Sequence, residues 1–185
     1  MSTLTVQNLR GISPTNLITV ASGHKIYSPG SIVQVKSATS GFTNQTINSA
    51  TPVALTGMSV TITPVYATSV ILIQAALSAS WTYVSSVHIY KNGSDLISNH
   101  GGNNQSSGGT ALWTKYFPYT TDSTSDIVFT MPVLYQDSPA TTSSTTYAIY
   151  ANSGWSGGNN AFYFNNRSGL DMLSSSWMTV MEIAQ

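Results

Sequence analysis

Hydrophobic and polar residues alternate along this chain with a period of two. The chain is organised around Gly57–Trp81, GMSVTITPVYATSVILIQAALSASW, which holds a short alternating strand, a Pro-containing turn and the longest apolar strand in the sequence. A strand sends successive side chains to opposite faces. Over Val70–Trp81 the odd positions Ile71, Ile73, Ala75, Leu77, Ala79 and Trp81 form one apolar face. The even face starts apolar at Val70 and Leu72 and ends polar at Ser78 and Ser80. The pattern predicts a strand in the middle of a packed sheet, with its far end reaching a surface.

Shorter strands surround it. Alternation predicts Ser31–Lys36, Met58–Thr63, Val84–Lys91, Asp126–Tyr135, Thr146–Ala151 and Trp177–Ile183, with weaker strands at Pro52–Leu55, Ser94–Ser98, Thr110–Tyr119 and Ala161–Phe164. In Asp126–Tyr135 the core face is Ile127, Phe129, Met131, Val133 and Tyr135. Asn92-Gly93 predicts a two-residue type I′ hairpin turn. Ser37–Thr51 reads as a polar, turn-rich segment. Nine or ten short strands and no helix indicate an antiparallel β-sandwich or jelly roll.

Residues 1–30 differ from the rest. They carry short apolar groups (Leu4, Val6 and Leu9, then Leu17, Ile18 and Val20) split by turn residues. No piece buries much by itself, and such residues are hard to explain in a solvated tail. The division predicted is an extended N-terminal arm over 1–30 and a β head over 31–185.

Composition narrows the function. The chain has 185 residues, 6% of them charged, and its six basic and six acidic side chains cancel. Nucleic-acid binding needs a basic face, and none is present. No run is long and apolar enough for a membrane span, and the start has no signal-peptide core. The chain has no Cys, which excludes disulfides and thiolate metal sites.

No metal-binding or nucleophile motif appears among His24, His88 and His100, and His88 reads as a surface or interface residue. Asp122, Asp126 and Asp137 flank one strand and read as turn caps rather than a glycosidase pair. The expectation is a protein with no catalytic residues, no metal and no cofactor. Recognition falls instead to two Gly/Asn loops, His100–Gly109 and Asn152–Asn160. Their candidate contact residues are His100, Asn103, Asn104, Trp155, Asn159 and Asn160. An aromatic beside adaptable amides suits a sugar or protein contact. The alternative is that both loops are plain connections and Trp155 packs into the core.

An ordered series of motifs runs through nearly the whole chain: MSTLTV at the start, PGSIVQV at 29–35, LTGMSVTITP at 55–64, SVILI at 69–73, IYKNG at 89–93 and MTVMEI at 178–183. In that order they resemble small virion proteins of tailed phages, common in marine phages that infect cyanobacteria. The resemblance implies a jelly-roll head similar to tumour-necrosis-factor-like heads, trimeric and attached to the particle by the arm. It implies a virion-surface location after synthesis in the host cytoplasm. The partners it implies are further copies of the chain and other virion proteins, either the major capsid protein or tail components. Two roles stay open: a capsid decoration (cement or fibre) protein, or a short tail fibre contacting a host receptor or glycan.

Overall fold

The computed structural model describes residues 28–82, 84–96, 113–116, 127–153, 161–167 and 171–185. They form eleven strands, with no helix among the described residues. The strands are β1 (Ile32–Thr39), β2 (Gln45–Ile47), β3 (Val53–Ile62), β4 (Val70–Trp81), β5 (Val84–Lys91), β6 (Ser94–Asp95), β7 (Trp113–Tyr116), β8 (Phe129–Asp137), β9 (Thr145–Asn152), β10 (Phe162–Phe164) and β11 (Trp177–Ile183).

Their pairing is nested and antiparallel. β1 pairs β11, β2 pairs β10, β3 pairs β9, β4 pairs β8 and β5 pairs β7. The chain is thus one long hairpin, folded back near β6 and curled into two sheets. That is the jelly-roll arrangement. Rolling adds β11 and β10 along the second edge of β4 and sets β9 beside β5. Sheet I contains β1, β2, β4, β8, β10 and β11; sheet II contains β3, β5, β6, β7 and β9.

The odd face of β4 lies between the sheets, as the alternation predicts. Ile71, Ile73, Leu77 and Ala79 are fully buried, and Met58, Ile62, Tyr147, Ile149 and Ile89 of sheet II belong to the same core. Asp137 on sheet I closes one end. It accepts hydrogen bonds from Lys91 Nζ (3.0 Å) and Tyr147 Oη (2.7 Å) on sheet II. Burial and the Asp137 carboxylate both raise the Tyr147 pKa.

Several strand boundaries differ from the sequence reading. Pro52–Leu55 and Met58–Thr63 belong to the single strand β3, whose register to β9 breaks between Ala54 and Ser59. Gly57 sits in that break at φ +78°, and a Cβ there would lie 2.8 Å from the Ser40 Cα. β2 falls inside the segment read as polar turns; its Gln and Thr pair with β10 while only Ile47 is buried. β8 starts at Phe129, so Ile127 lies outside the strand and is exposed. Asn92 and Gly93 both have positive φ, as a type I′ turn requires.

Buried polar groups stitch the strand ends. Glu182 on β11 is wholly buried and accepts from Gln34 Nε2 (2.6 Å), Val65 N (2.7 Å), Tyr66 N (3.2 Å) and Ser69 Oγ (2.7 Å). One carboxylate thereby fixes the β3–β4 turn to β1 and β11. At the other end of β1, buried Asn165 takes φ 55°. Its Nδ2 donates to Ser40 Oγ (2.7 Å), and its Oδ1 accepts from Ser176 Oγ (2.6 Å).

Burial by itself raises the Glu182 pKa, but the donors from Gln34, Ser69, Tyr66 and Val65 outweigh it and hold the carboxyl below its ordinary value. A lowered folded-state pKa stabilises the fold above the unfolded value of about 4.3. That stability is lost as pH falls from there through the folded pKa. Glu182→Gln is expected to cost about 2–4 kcal/mol at neutral pH, because an amide turns a donor toward donors. Thermal melts from pH about 7 down to about 3 check this: wild type loses stability below pH about 4, and the variant shows a weaker slope there.

Candidate assembly surface

The contact residues expected in the loops (His100, Asn103, Asn104, Trp155, Asn159 and Asn160) lie outside the described residues. So do the arm residues Leu4, Val6, Leu9, Leu17, Ile18 and Val20. The residues that bracket these segments are placed. Gly30 N donates to the Ala184 carbonyl (2.7 Å), beside the Val70 end of β4. Ala161 precedes Phe162, which pairs with Trp81 at the other end. β4 has 12 residues, so at about 3.3 Å per residue Gly30 and Ala161 lie near ends roughly 36 Å apart.

The surface that stands out is the outer face of sheet I. Register brings its residues into rows across four strands. Val35, Met181, Leu72 and Gln136 share one row; Ser37, Thr179, Gln74 and Leu134 share the next; Thr39, Trp177, Ala76 and Pro132 share the third. Ile32, Ile183 and Val70 extend it toward the arm exit. No charged residue stands in these rows, since Lys36 and Glu182 alternate to the inner side. Leu134 is 64% exposed, Ile32 58%, Val35 49% and Trp177 48%. Isolated exposed apolar residues are ordinary. Here seven of the twelve row positions are apolar and the other five are uncharged polar residues, and an uncharged, largely apolar patch is the kind that marks an interaction site. β4 builds this face with its even positions, and β11 is apolar on both sides because it too serves both core and face.

A second cluster lies on the outer side of sheet II; of the surface or interface reading of His88, it corrects the surface half. His88 is 3% exposed. Ser86 is two residues away on the same face, and the Asn92-Gly93 turn returns Asp95 opposite Tyr90. Ser86 Oγ lies 2.9 Å from His88 Nε2, and His88 Nδ1 lies 2.8 Å from Asp95 Oδ2. These are the three groups of a hydrolase triad, in its order.

The Ser86 hydroxyl is engaged with a different partner. Asn152 Nδ2 donates to the Ala50 carbonyl (3.0 Å), which fixes the amide and turns its Oδ1 to Ser86 Oγ at 2.6 Å. Two oxygens this close need a proton between them, and only Ser86 supplies one. The Ser86 hydroxyl thus donates to Asn152 Oδ1, whereas a nucleophilic serine donates to histidine. The chain Asp95–His88–Ser86–Asn152 joins β6, β5 and β9 as a structural seam. Its spacing was visible in sequence, but its partners come from separate strands.

Among the described residues no group of three or more His, Asp or Glu is arranged to hold a metal ion. No helix of these residues is long and apolar enough to cross a membrane.

No family model matches the sequence, and no curated protein matches it closely enough to count as a relative. Solved structures that the chain matches include that of the Gt strain of infectious bursal disease virus, at 15% identity over 91% of this chain and 42% of that one, TM-score 0.41. A mutant VP2 of the same virus in T=1 particles matches at 15% identity, 91% and 40% coverage, TM-score 0.37. The Gx strain matches at 16% identity, 90% and 42% coverage, TM-score 0.36. The chain spans about two fifths of the length of those proteins. Likenesses this distant assign neither family nor function.

The burial of Ser86, 3% exposed, has a chemical consequence. A serine-directed fluorophosphonate is expected to leave Ser86 unmodified, by intact mass, after hours at neutral pH. Stoichiometric labelling lost in Ser86→Ala would contradict the structural assignment of the cluster.

Proposed function

We propose that this protein is a non-enzymatic virion surface protein of a tailed phage, a homotrimeric jelly-roll head attached to the capsid as a decoration (cement or fibre) protein. The observation that carries the reading is the uncharged, exposed apolar outer face of sheet I. Left in water, this face would be an aggregation liability. A closed three-fold ring covers it on every copy without leaving a free end. The lack of charge favours a like partner, since no complementary charge is offered to a different one. The ordered series of phage-like motifs supports the virion setting and the arm over 1–30 as anchor. Placement of the arm exit at one end of the sandwich supports attachment from that end, with the opposite end turned outward.

The same placement favours a second reading, a short tail fibre or receptor-binding protein. The Trp155 segment is bracketed at the end away from the arm exit, where a host glycan or receptor would be met. Host-glycan binding that disappears in Trp155→Ala favours this reading over the capsid decoration.

Light scattering of the full chain at micromolar concentration is expected to give three times the 19.7 kDa chain mass. Leu134→Lys is expected to weaken association by about a hundredfold, because it places three charges in the buried face. Its fold should persist, since Leu134 is exposed in the single copy. A monomeric wild type contradicts the trimer.

Removal of residues 1–27 should leave a folded trimer that no longer joins particles. Full particle binding by that truncation contradicts the anchoring role.

A further inference from the structure

In the outer rows of sheet I two side-chain amides, Gln74 and Gln136, hydrogen-bond no described residue, and Gln74 is the one that is already half-buried in the middle of the face. In the middle row, Ser37 Oγ and Thr179 Oγ1 satisfy each other at 3.0 Å. Next to them on β4 stands Gln74, between Thr179 and Leu134 in register. Its side-chain amide hydrogen-bonds no described residue. It is only partly exposed already, and it is surrounded on the face by Leu72, Ala76 and Leu134. Covering it with an apolar partner would strand two donors and an acceptor, at a cost that would work against association. A carboxamide is self-complementary: it donates through nitrogen and accepts through oxygen. Under a rotation axis, each copy donates to the next and accepts from the one before.

We infer that three copies of Gln74 meet at the three-fold axis and close a ring of side-chain amide hydrogen bonds that fixes the register of the trimer. This rests on the trimer proposed above. Apolar contact through Leu72, Met181, Leu134 and Trp177 supplies adhesion, which by itself tolerates sliding between faces. The amide ring selects one arrangement, as a single buried polar residue does in helical assemblies.

The test uses the full chain, with Gln74→Glu compared with wild type by sedimentation at about pH 7 and about pH 5. No titratable side chain of β1, β11 or β8 stands in the outer rows around position 74, so the introduced carboxyl titrates against its own copies. At about pH 7 three carboxylates on the axis repel, and association should weaken by about a hundredfold or more. Like charges sharing a site raise one another's pKa. At about pH 5 the acids are largely neutral and can hydrogen-bond, so the trimer should return. Wild type should be trimeric at both values.

If Gln74→Glu associates as tightly as wild type at about pH 7, Gln74 is off the axis and the inference is overturned while the trimer stands. A wild type that is monomeric at both values overturns the trimer and the ring together. Should the variant fail to fold, wild type labelled at glutamine gives the answer by NMR. The Gln74 amide protons should be protected from water exchange, and free exchange overturns the ring.

Discussion

The structure depends on the two faces of β4. This strand is paired along both edges, with β8 on one and with β11 and β10 on the other. Its backbone is thereby consumed, and its side chains divide by parity. Odd positions fill the space between the sheets; even positions form the middle of an outward surface. A one-residue slip of β4 would exchange core and surface throughout. The nested pairing holds the register in place, because β1, β8, β10 and β11 are all set directly or indirectly against it.

A chain this poor in charge must hold its strand ends by other means. Three buried hydrogen-bonded groups serve that end: Glu182 at the arm exit, Asn165 with Ser40 and Ser176 at the far end of β1, and Asp95–His88–Ser86–Asn152 across sheet II. Each joins residues distant in sequence and satisfies groups that would be costly to bury alone. Their positions leave the outer face of sheet I free of charge. Glu182 and Lys36 occupy inner-side positions on the same strands that present Met181 and Val35 outward. Glu182 pins the β3–β4 turn, and the outer rows of sheet I are left without charge.

Much of the fold was legible in the sequence because strand parity is a local property. Val70–Trp81 and Trp177–Ile183 were readable to the residue, as was the Asn92-Gly93 turn. β2 was not, because Gln45 and Thr46 are polar and only pairing with β10 makes them a strand. Nor was the merging of two short segments into β3, since the break around Gly57 depends on the close approach of Ser40. The buried state of His88 and Glu182 was hidden for the same reason: their partners sit on other strands. The assembly surface was half legible. The two-sided apolarity of β11 pointed to it. The even face of β4 read as buried at Val70 and Leu72 and as reaching a surface at Ser80, whereas Val70 and Leu72 are half-buried on the outer face and Ser80 is fully buried. The breadth of the face needed the lateral order of four strands. The loop and arm residues singled out in the sequence lie outside the described residues.

The central claim is that the outer face of sheet I is covered by copies of the same chain. Hydroxyl-radical footprinting of the full protein in solution addresses it residue by residue, because Met181, Trp177 and Leu134 are reactive side chains on that face. The account predicts that all three are protected at micromolar concentration and become reactive together on dilution to monomer, while exposed Phe42, outside the face rows, stays reactive throughout. Oxidation of Trp177 and Leu134 at the same rate at every concentration would contradict it.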